Sequence, residues 1–326
     1  MALFRFEAVS LRPPPSVYKN QGSVPLSLPR REWMISETSY RERKSASDSH
    51  PKPTSGSLET TTSNYPAYPS RPSGDLTRQI GHRHTFNMAP PKRALIAVTS
   101  AHGPLYPKGQ ETGLFITEAL HPFNVFREAG LDVDLVSETG TYQPDWLSQQ
   151  PDWLPEKDRK VWEDRSSEFR SKLDALLKPG DIDPAKYGIF FASAGHASLI
   201  DYPDAKGLQS IASKMYADGS IVSAVCHGGA IFPGIIDPAT GKSIIAGRKV
   251  TGFTTQGEEE EGVLDTIKSW NRPTIESSAA SAGATYIPPP GPWDAFAYTD
   301  GRIVTGANPA SAHVTAEAAV KAFQKL

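Results

Sequence analysis

The one cysteine of this chain, Cys226, stands where an apolar run gives way to small residues. The side chains from Ile221 to Val225 predict a buried strand, and Gly228 and Gly229 open the small-residue stretch that begins a helix. We expect a thiol at such a corner to be exposed and to face helix N–H groups, which stabilise a thiolate. This is the arrangement of a nucleophile elbow. The alternative is a small buried hydrophobic residue.

A nucleophilic thiol needs a proton acceptor and a group that orients the acceptor, and two residues are candidates. His227 follows Cys226 directly, and a sharp turn brings both side chains into one pocket; otherwise His227 only caps the turn. Glu258 opens an acidic run of four residues, one of which is able to orient His227. The alternative, a solvated acidic helix start, applies to at least two of the four.

Proton transfer and oxyanion binding have candidates elsewhere in the chain. Glu118 lies among apolar neighbours, and burial would raise its pKa toward neutral pH and make it a proton shuttle. Otherwise it lies on the polar side of a partly exposed helix. The backbone N–H of Gly195 is a candidate oxyanion donor. We assign no metal and no cofactor, since the remaining candidate histidines lack metal-ligand spacing: His102, His121 and His196.

Composition limits the classes of function. The chain has 326 residues and a net charge of -2, which gives no reason to expect a nucleic acid partner. It contains no apolar run of the ~18 residues that span a bilayer, so we expect no membrane partner. A single cysteine excludes an intrachain disulfide and fits a reducing compartment. We therefore expect a cytoplasmic protein, with a nuclear location as an alternative.

The first 87 residues differ from the rest in composition and in hydrophobic periodicity. They hold 12 Lys and Arg against 7 Asp and Glu, include 10 prolines and lack sustained periodicity. Such a segment buries too little apolar surface to offset its chain entropy, so we expect a disordered extension. Met88 resembles a natural start, which would place residues 1–87 upstream of the working protein. A mitochondrial transit peptide is the alternative.

Residues 88–326 read as one α/β domain. Apolar strand-like runs begin at residues 94, 131, 188 and 221, and they alternate with helical stretches at 113–129, 206–217 and 311–326. We expect the first of these helices to be interrupted or bent at Pro122. This alternation predicts a mainly parallel sheet with helices on both faces. Residues 139–179, which carry two Pro-Asp-Trp-Leu tetrapeptides, are predicted to form a small lid insertion or a partner surface.

The sequence around Cys226, Ala224-Val225-Cys226-His227-Gly228, resembles the DJ-1/PfpI superfamily. Longer strings resemble its fungal heat-shock-31-type branch of glutathione-independent glyoxalases, which are also described as chaperones. The resemblance covers residues 92–326 and rests on these strings: Glu118 to Asn124, Asp201-Tyr202-Pro203, Thr251 to Thr254, Gly291 to Asp294 and Thr305 to His313.

The resemblance implies a flavodoxin-like core, a small lid and a homodimer. It also implies that Cys226 is the nucleophile, His227 its neighbouring histidine, Glu258 the triad acid and Glu118 the glutamate that contacts the sulfur. One departure is that the family's Gly-Gly-His-Gly loop reads Ala194-Gly195-His196-Ala197 here. An added methyl group beside Gly195 would narrow the pocket or shift an oxyanion donor, which affects the level of activity.

These observations predict an enzyme that converts methylglyoxal, a small α-ketoaldehyde, to lactate without glutathione or metal. Thiolate attack gives a hemithioacetal, and Glu118 or His227 moves a proton through an enediolate. N–H groups near Gly195 and His227 hold the oxyanion. The alternatives are a holdase chaperone, which would function without Cys226, and a cysteine peptidase, amidase or deglycase. The peptidase alternative needs His227 aligned as a base, which a directly adjacent residue does poorly.

Overall fold

The structure of the protein is a computed structural model that describes residues 90–326. The expected N-terminal extension, residues 1–87, and the expected start at Met88 lie outside the described residues. The strands are β1 Arg93–Ala97, β2 Gly103–Pro104, β3 Glu111–Thr112, β4 Asp132–Val136, β5 Ile189–Ala192, β6 Ile221–Val225, β7 Ile236–Asp237, β8 Lys242–Ser243, β9 Lys249–Val250, β10 Thr285–Tyr286, β11 Ala297–Asp300 and β12 Ile303–Gly306. The α-helices are α1 Ile116–Glu128, α2 Glu156–Glu163, α3 Glu168–Asp174, α4 Ser198–Asp201, α5 Lys206–Ala217, α6 Thr255–Glu261, α7 Leu264–Ser269, α8 Ile275–Ser281 and α9 Ala312–Phe323.

The central sheet has six strands in the order β11-β12-β6-β5-β1-β4. All neighbours pair in parallel except β11, which runs antiparallel to β12. Every residue of β5 and β6 is buried, as expected for strands covered on both faces. The fold is therefore the flavodoxin-like α/β architecture that the sequence predicts.

The direction of the crossovers places helices on both faces of the sheet. From β1 through α1 to β4 the chain moves one way along the sheet, and from β5 through α5 to β6 it moves the other way. Right-handed crossovers in opposite directions put α1 and α5 on opposite faces. The two paths diverge between β1 and β5, and ligands of such sheets bind beyond the carboxyl ends of the strands at this point.

Helix α1 runs without interruption through Pro122, contrary to the break that we expected as one possibility. Proline removes one intrahelical hydrogen bond because it has no N–H. Buried side chains on both sides of the proline, including Leu120 and Phe123, hold the helix against the core. Tertiary packing thus outweighs the local cost of the proline.

The segment 139–179 lies between β4 and β5 and contains α2 and α3. Backbone hydrogen bonds tie its start to the loop before α1: Leu114 N–H donates to Gln143, and Asp145 N–H donates to Leu114. Trp153 packs against Phe115 at the start of α1. The insertion is therefore anchored beside the helix that carries Glu118.

Candidate active site

Cys226 occupies the corner where β6 ends and a 3-10 helix, Cys226–Gly234, begins. Its φ is +55°, a left-handed conformation that residues other than glycine rarely adopt. Behind the corner, a Cβ on Gly228 would lie 2.4 Å from the carbonyl oxygen of Ala192, so the turn needs a glycine there. A strained backbone at a candidate nucleophile is typical of an elbow.

The thiol is buried, so the expectation of an exposed sulfur was wrong. Cys226 is only 3% exposed. A chain of aromatic contacts extends from the insertion to the site: Trp153 meets Trp293, Trp293 meets Phe253, and Phe253 lies 4.7 Å from the His227 ring. Rings contributed by distant segments shield the corner, and a local sequence pattern does not report them.

His227 joins the thiol to Glu258. Its Nδ1 lies 3.2 Å from Sγ of Cys226, and its Nε2 lies 2.7 Å from Oε1 of Glu258. An ionised carboxylate only accepts hydrogen bonds, so Nε2 carries the proton and Nδ1 presents its lone pair to the thiol. Burial and the charge of His196 lower the pKa of His227 to about 4. At neutral pH this side chain is therefore a neutral base in contact with the sulfur.

Glu258 reaches His227 from α6, whose start is capped by the Thr254 side chain accepting from the Gly257 N–H. Burial disfavours its charge, but His227 and His196 outweigh burial and hold the pKa of Glu258 at about 2. Within the acidic run, Glu258 is buried, and Glu261, three positions later, lies on the same helix face. The other two members of the run are exposed, as the sequence analysis expected of at least two.

Glu118 is the third residue of α1, and its side chain is completely buried. Neither carboxylate oxygen has a hydrogen bond of full geometry within residues 90–326. Burial raises the pKa of Glu118 to about 8, although the adjacent Cys226 thiol, as a donor, lowers it in part. Burial is the main reason why the pKa of the Cys226 thiol is also raised, and the neighbouring Glu118 raises it further. At neutral pH a protonated acid thus lies beside a protonated thiol.

Gly195 follows β5, the strand next to β6, with a φ of +153°. A Cβ on this residue would lie 2.1 Å from the carbonyl oxygen of Gly113. Within residues 90–326 the Gly195 N–H donates no hydrogen bond, while the Gly195 carbonyl accepts from Ser198. An uncommitted N–H at this edge of the sheet fits the predicted oxyanion role, which stays a prediction.

Sequence analysis missed the part played by His196. Its Nε2 lies 2.8 Å from Oε2 of Glu258 and 3.3 Å from Oε2 of Glu261, and its ring centroid lies 4.1 Å from that of His227. Burial disfavours its charge, but the carboxylates outweigh burial and raise the pKa of His196 to about 9. His196 and Glu258 are 62 positions apart. The available signal was that His196 directly follows Gly195 at a strand end.

His196, His227 and Glu258 also form a group whose ligand-type atoms lie within 4.8 Å of one another. These atoms face each other as hydrogen-bond donors and acceptors. His196 would have to lose a proton before its Nε2 could bind a metal. The arrangement fits a proton-transfer triad with a second histidine better than a metal centre.

In the part of the chain that the structure describes, no helix is both long and apolar enough to cross a membrane.

Comparison with known proteins places this chain in a family. No family model matches the chain. Glyoxalase 3 of Candida albicans is 51% identical over 71% of this chain and 98% of its own length. The glutathione-independent glyoxalase HSP31 of Saccharomyces cerevisiae is 48% identical over 72% of this chain and 99% of its own length. The crystal structure of glyoxalase III from Candida albicans superposes with a TM-score of 0.70 over 72% of this chain and 98% of that chain. The chain belongs to the family of HSP31-type glutathione-independent glyoxalases.

Proposed function

We propose that this protein is a glutathione-independent glyoxalase that converts methylglyoxal to lactate with its own thiol. The observation that carries the proposal is the buried Cys226 thiol, which lies between the Nδ1 of His227 and the protonated carboxyl group of Glu118. This pair supplies a base for the thiol and an acid for the carbonyl. The glyoxalase names of relatives such as the Candida albicans protein support the same activity.

The first step forms a hemithioacetal. His227 accepts the thiol proton at Nδ1, and the sulfur bonds to the aldehyde carbon. Glu118 gives its proton to the aldehyde oxygen and becomes a carboxylate. The new imidazolium of His227 is stabilised by Glu258, whose Oε1 lies 2.7 Å from Nε2. No glutathione is needed because the protein supplies the thiol.

The second step moves a proton between neighbouring carbons. The ketone acidifies the C1 proton, and the Glu118 carboxylate removes it to give an enediolate. Glu118 returns the proton to C2, and the hydroxyl proton on C1 passes to the oxygen on C2. This rearrangement leaves a lactoyl thioester on Cys226, and the N–H groups of Gly195 and His227 are the proposed oxyanion donors.

Hydrolysis completes the cycle. Water adds its hydroxyl to the thioester carbon and gives its other proton to Glu118, while His227 returns a proton to the departing sulfur. The thiol, the neutral His227 and the protonated Glu118 are restored. One methylglyoxal and one water thus give one lactic acid, with no external electron carrier.

The decisive experiment follows methylglyoxal loss and lactate formation without glutathione, with wild type and Cys226→Ala compared. We expect the variant to keep its circular dichroism spectrum and to lose at least ~100-fold in turnover, because the nucleophile is gone. Residual turnover above that level would contradict the covalent mechanism.

The chaperone alternative has less support. Of the three tryptophans in segment 139–179, Trp153 packs on Phe115, and Trp162 packs under the Arg170 guanidinium at 4.0 Å. Only Trp146 is classed as exposed, at 37%. The insertion thus directs most of its aromatic surface inward. We propose in addition a homodimer and a cytoplasmic location, on the resemblance and the composition described above.

A further inference from the structure

His196 and His227 both form hydrogen bonds to the same carboxylate, that of Glu258. Each imidazole approaches a different oxygen of Glu258 with its Nε2, at 2.8 Å and 2.7 Å respectively. All three side chains are buried. Since an ionised carboxylate offers no proton, both histidines must donate from Nε2.

The surroundings of His196 hold three acidic side chains, of which Glu258 is firmly ionised, with a pKa of about 2, whereas burial raises the pKa of Glu261 to about 7. Glu258 and Glu261 face His196 from α6, and Asp145 faces it from the insertion. The other titratable neighbours are His227, whose ring centroid lies 4.1 Å away at a tilt of 38°, and Glu118, whose pKa the charge of His196 lowers in part. The buried and ionised Glu258 carboxylate, shared by two imidazoles, needs a compensating cation. His227 cannot supply it and also accept a proton from the thiol, so the cation belongs on His196.

We propose that His196 is a positioning residue: as an imidazolium it keeps Glu258 ionised, which fixes the proton of His227 on Nε2 and leaves Nδ1 free to take the thiol proton of Cys226. Its effect on turnover rests on the proposed glyoxalase function, whereas its effect on the state of His227 does not. His196 contacts the base through a shared carboxylate and touches no reacting atom in this scheme.

The proposal makes a specific claim about His227. The positive charge of His196, whose ring lies beside that of His227, disfavours a second charge on His227. Removing that charge makes His227 easier to protonate, so it stops acting as a base at a higher pH. A merely structural role for His196 would lower activity equally at all pH values.

The direct test is ¹⁵N NMR of the histidine rings in the full chain, with each signal assigned by substitution. We expect His196 to carry protons on both ring nitrogens at pH 7 and His227 to carry one proton, on Nε2. A neutral His196 at pH 7, or a His227 proton on Nδ1, would overturn the proposal. This measurement needs no turnover, so it remains decisive even if the protein does not consume methylglyoxal.

The kinetic test is His196→Gln, which keeps a hydrogen-bond donor toward Glu258 and removes the charge. We expect kcat to fall about tenfold with KM nearly unchanged, and the acid limb of the kcat/KM profile to move up by about one pH unit or more. The control is His121→Gln, which breaks a histidine–carboxylate pair of similar length, 2.9 Å to Asp158. The control should leave the acid limb in place. An unmoved acid limb in folded His196→Gln would refute the proposal.

Glu261→Gln keeps the proposal testable if His196→Gln fails to fold. It removes a carboxylate 3.3 Å from Nε2 of His196 and leaves Glu258 in place. We expect the His196 ring to titrate about one pH unit lower than in wild type. An unchanged His196 titration would mean that the charge cluster does not hold its proton.

Discussion

The Nδ1 atom of His227 lies 3.2 Å from Sγ of Cys226, although the two residues are neighbours in the chain. Neighbouring side chains on an extended strand point apart. The positive φ of Cys226 turns the backbone between the two residues and brings both side chains to one side. The sharp turn that the sequence analysis named as the means of bringing both side chains into one pocket is therefore present at Cys226.

Glu118→Gln is expected to lower kcat at least ~100-fold, because glutamine keeps the size of the side chain but transfers no proton. Glu118→Asp should also be impaired, since it withdraws the acid by one methylene group. Turnover of methylglyoxal measures both. Glu128→Gln, an exposed glutamate on the same helix, is the matched control. Wild-type rates in both Glu118 variants would assign the proton transfer to His227 alone.

Stability is expected to fall as pH rises from 6.5 to 9. The pKa of Glu118 is raised from 4.5 to about 8 and that of His196 from 6.5 to about 9, so the folded state binds these protons more tightly than the unfolded state. The contribution of each of these groups to the free energy of unfolding is complete at pH values below its pKa in the unfolded state. It is lost as the pH rises through its pKa in the folded state. From pH 6.5 to 9 we expect a loss on the order of 5 kcal/mol in the free energy of unfolding, about 2 from Glu118 and about 3 from His196, measured with urea.

The same titration assigns the effect to a residue. Glu118→Gln carries no titrating proton, so its unfolding free energy should decline less between pH 6.5 and 9. At pH 9 it should exceed that of wild type, because an ionised carboxylate is no longer buried. An identical decline in wild type and variant would show that Glu118 is not the buried acid.

Gly195→Ala is expected to destabilise the protein by more than ~2 kcal/mol and to abolish turnover, because the new Cβ would meet the Gly113 carbonyl in a backbone conformation suited to glycine. Gly109→Ala is the control: its φ is +80°, but nothing lies within 4 Å of the new Cβ. It should cost about 1–2 kcal/mol, from the left-handed backbone alone. Thermal melts compare the two variants, and equal losses would contradict the crowding at Gly195.

Trp153→Ala is expected to expose the thiol. The indole packs against Phe115 and Trp293, and Trp293 contacts Phe253 beside the His227 ring, so we expect its removal to open a path to Cys226. Because Cys226 is the sole cysteine in the sequence, iodoacetamide labelling reports on it alone. We expect labelling at least several-fold faster than in wild type. Trp162→Ala, in the same insertion but packed on Arg170, should label at the wild-type rate.

Removal of residues 1–87 is expected to leave activity and melting temperature unchanged. Their composition, with 10 prolines and no sustained periodicity, does not predict a packed core. A protein beginning at Met88 should match the full chain in methylglyoxal turnover and in a thermal melt. A loss of several degrees would show that these residues contribute to the fold.

Local patterns predicted the sheet well. The limits of β6 and α5 agree with the structure to the residue, because a continuous apolar run and an amphipathic stretch each have clear ends. The short strand β9 pairs only with β10, outside the central sheet. Pairing partners depend on distant segments, which an apolar run does not specify.

The site was predicted where motifs are contiguous and missed where the fold assembles it. The strand-to-helix pattern singled out Cys226, and an isolated acid among apolar residues singled out Glu118. His196 and Glu261 acquire their roles only when the end of β5 meets α6. Their partners lie too far away in sequence for spacing to suggest the charge cluster.

The protonated state of the Cys226 thiol has a consequence for redox chemistry. Peroxide and other oxidants attack the thiolate, and oxidation to sulfenic acid follows thiolate character and exposure. A thiol that is buried and whose pKa is raised by its surroundings is a poor target on both counts. In the proposed mechanism the sulfur becomes nucleophilic only when His227 takes its proton in the presence of a carbonyl substrate. We therefore expect the resting enzyme to resist oxidants better than a preformed thiolate would.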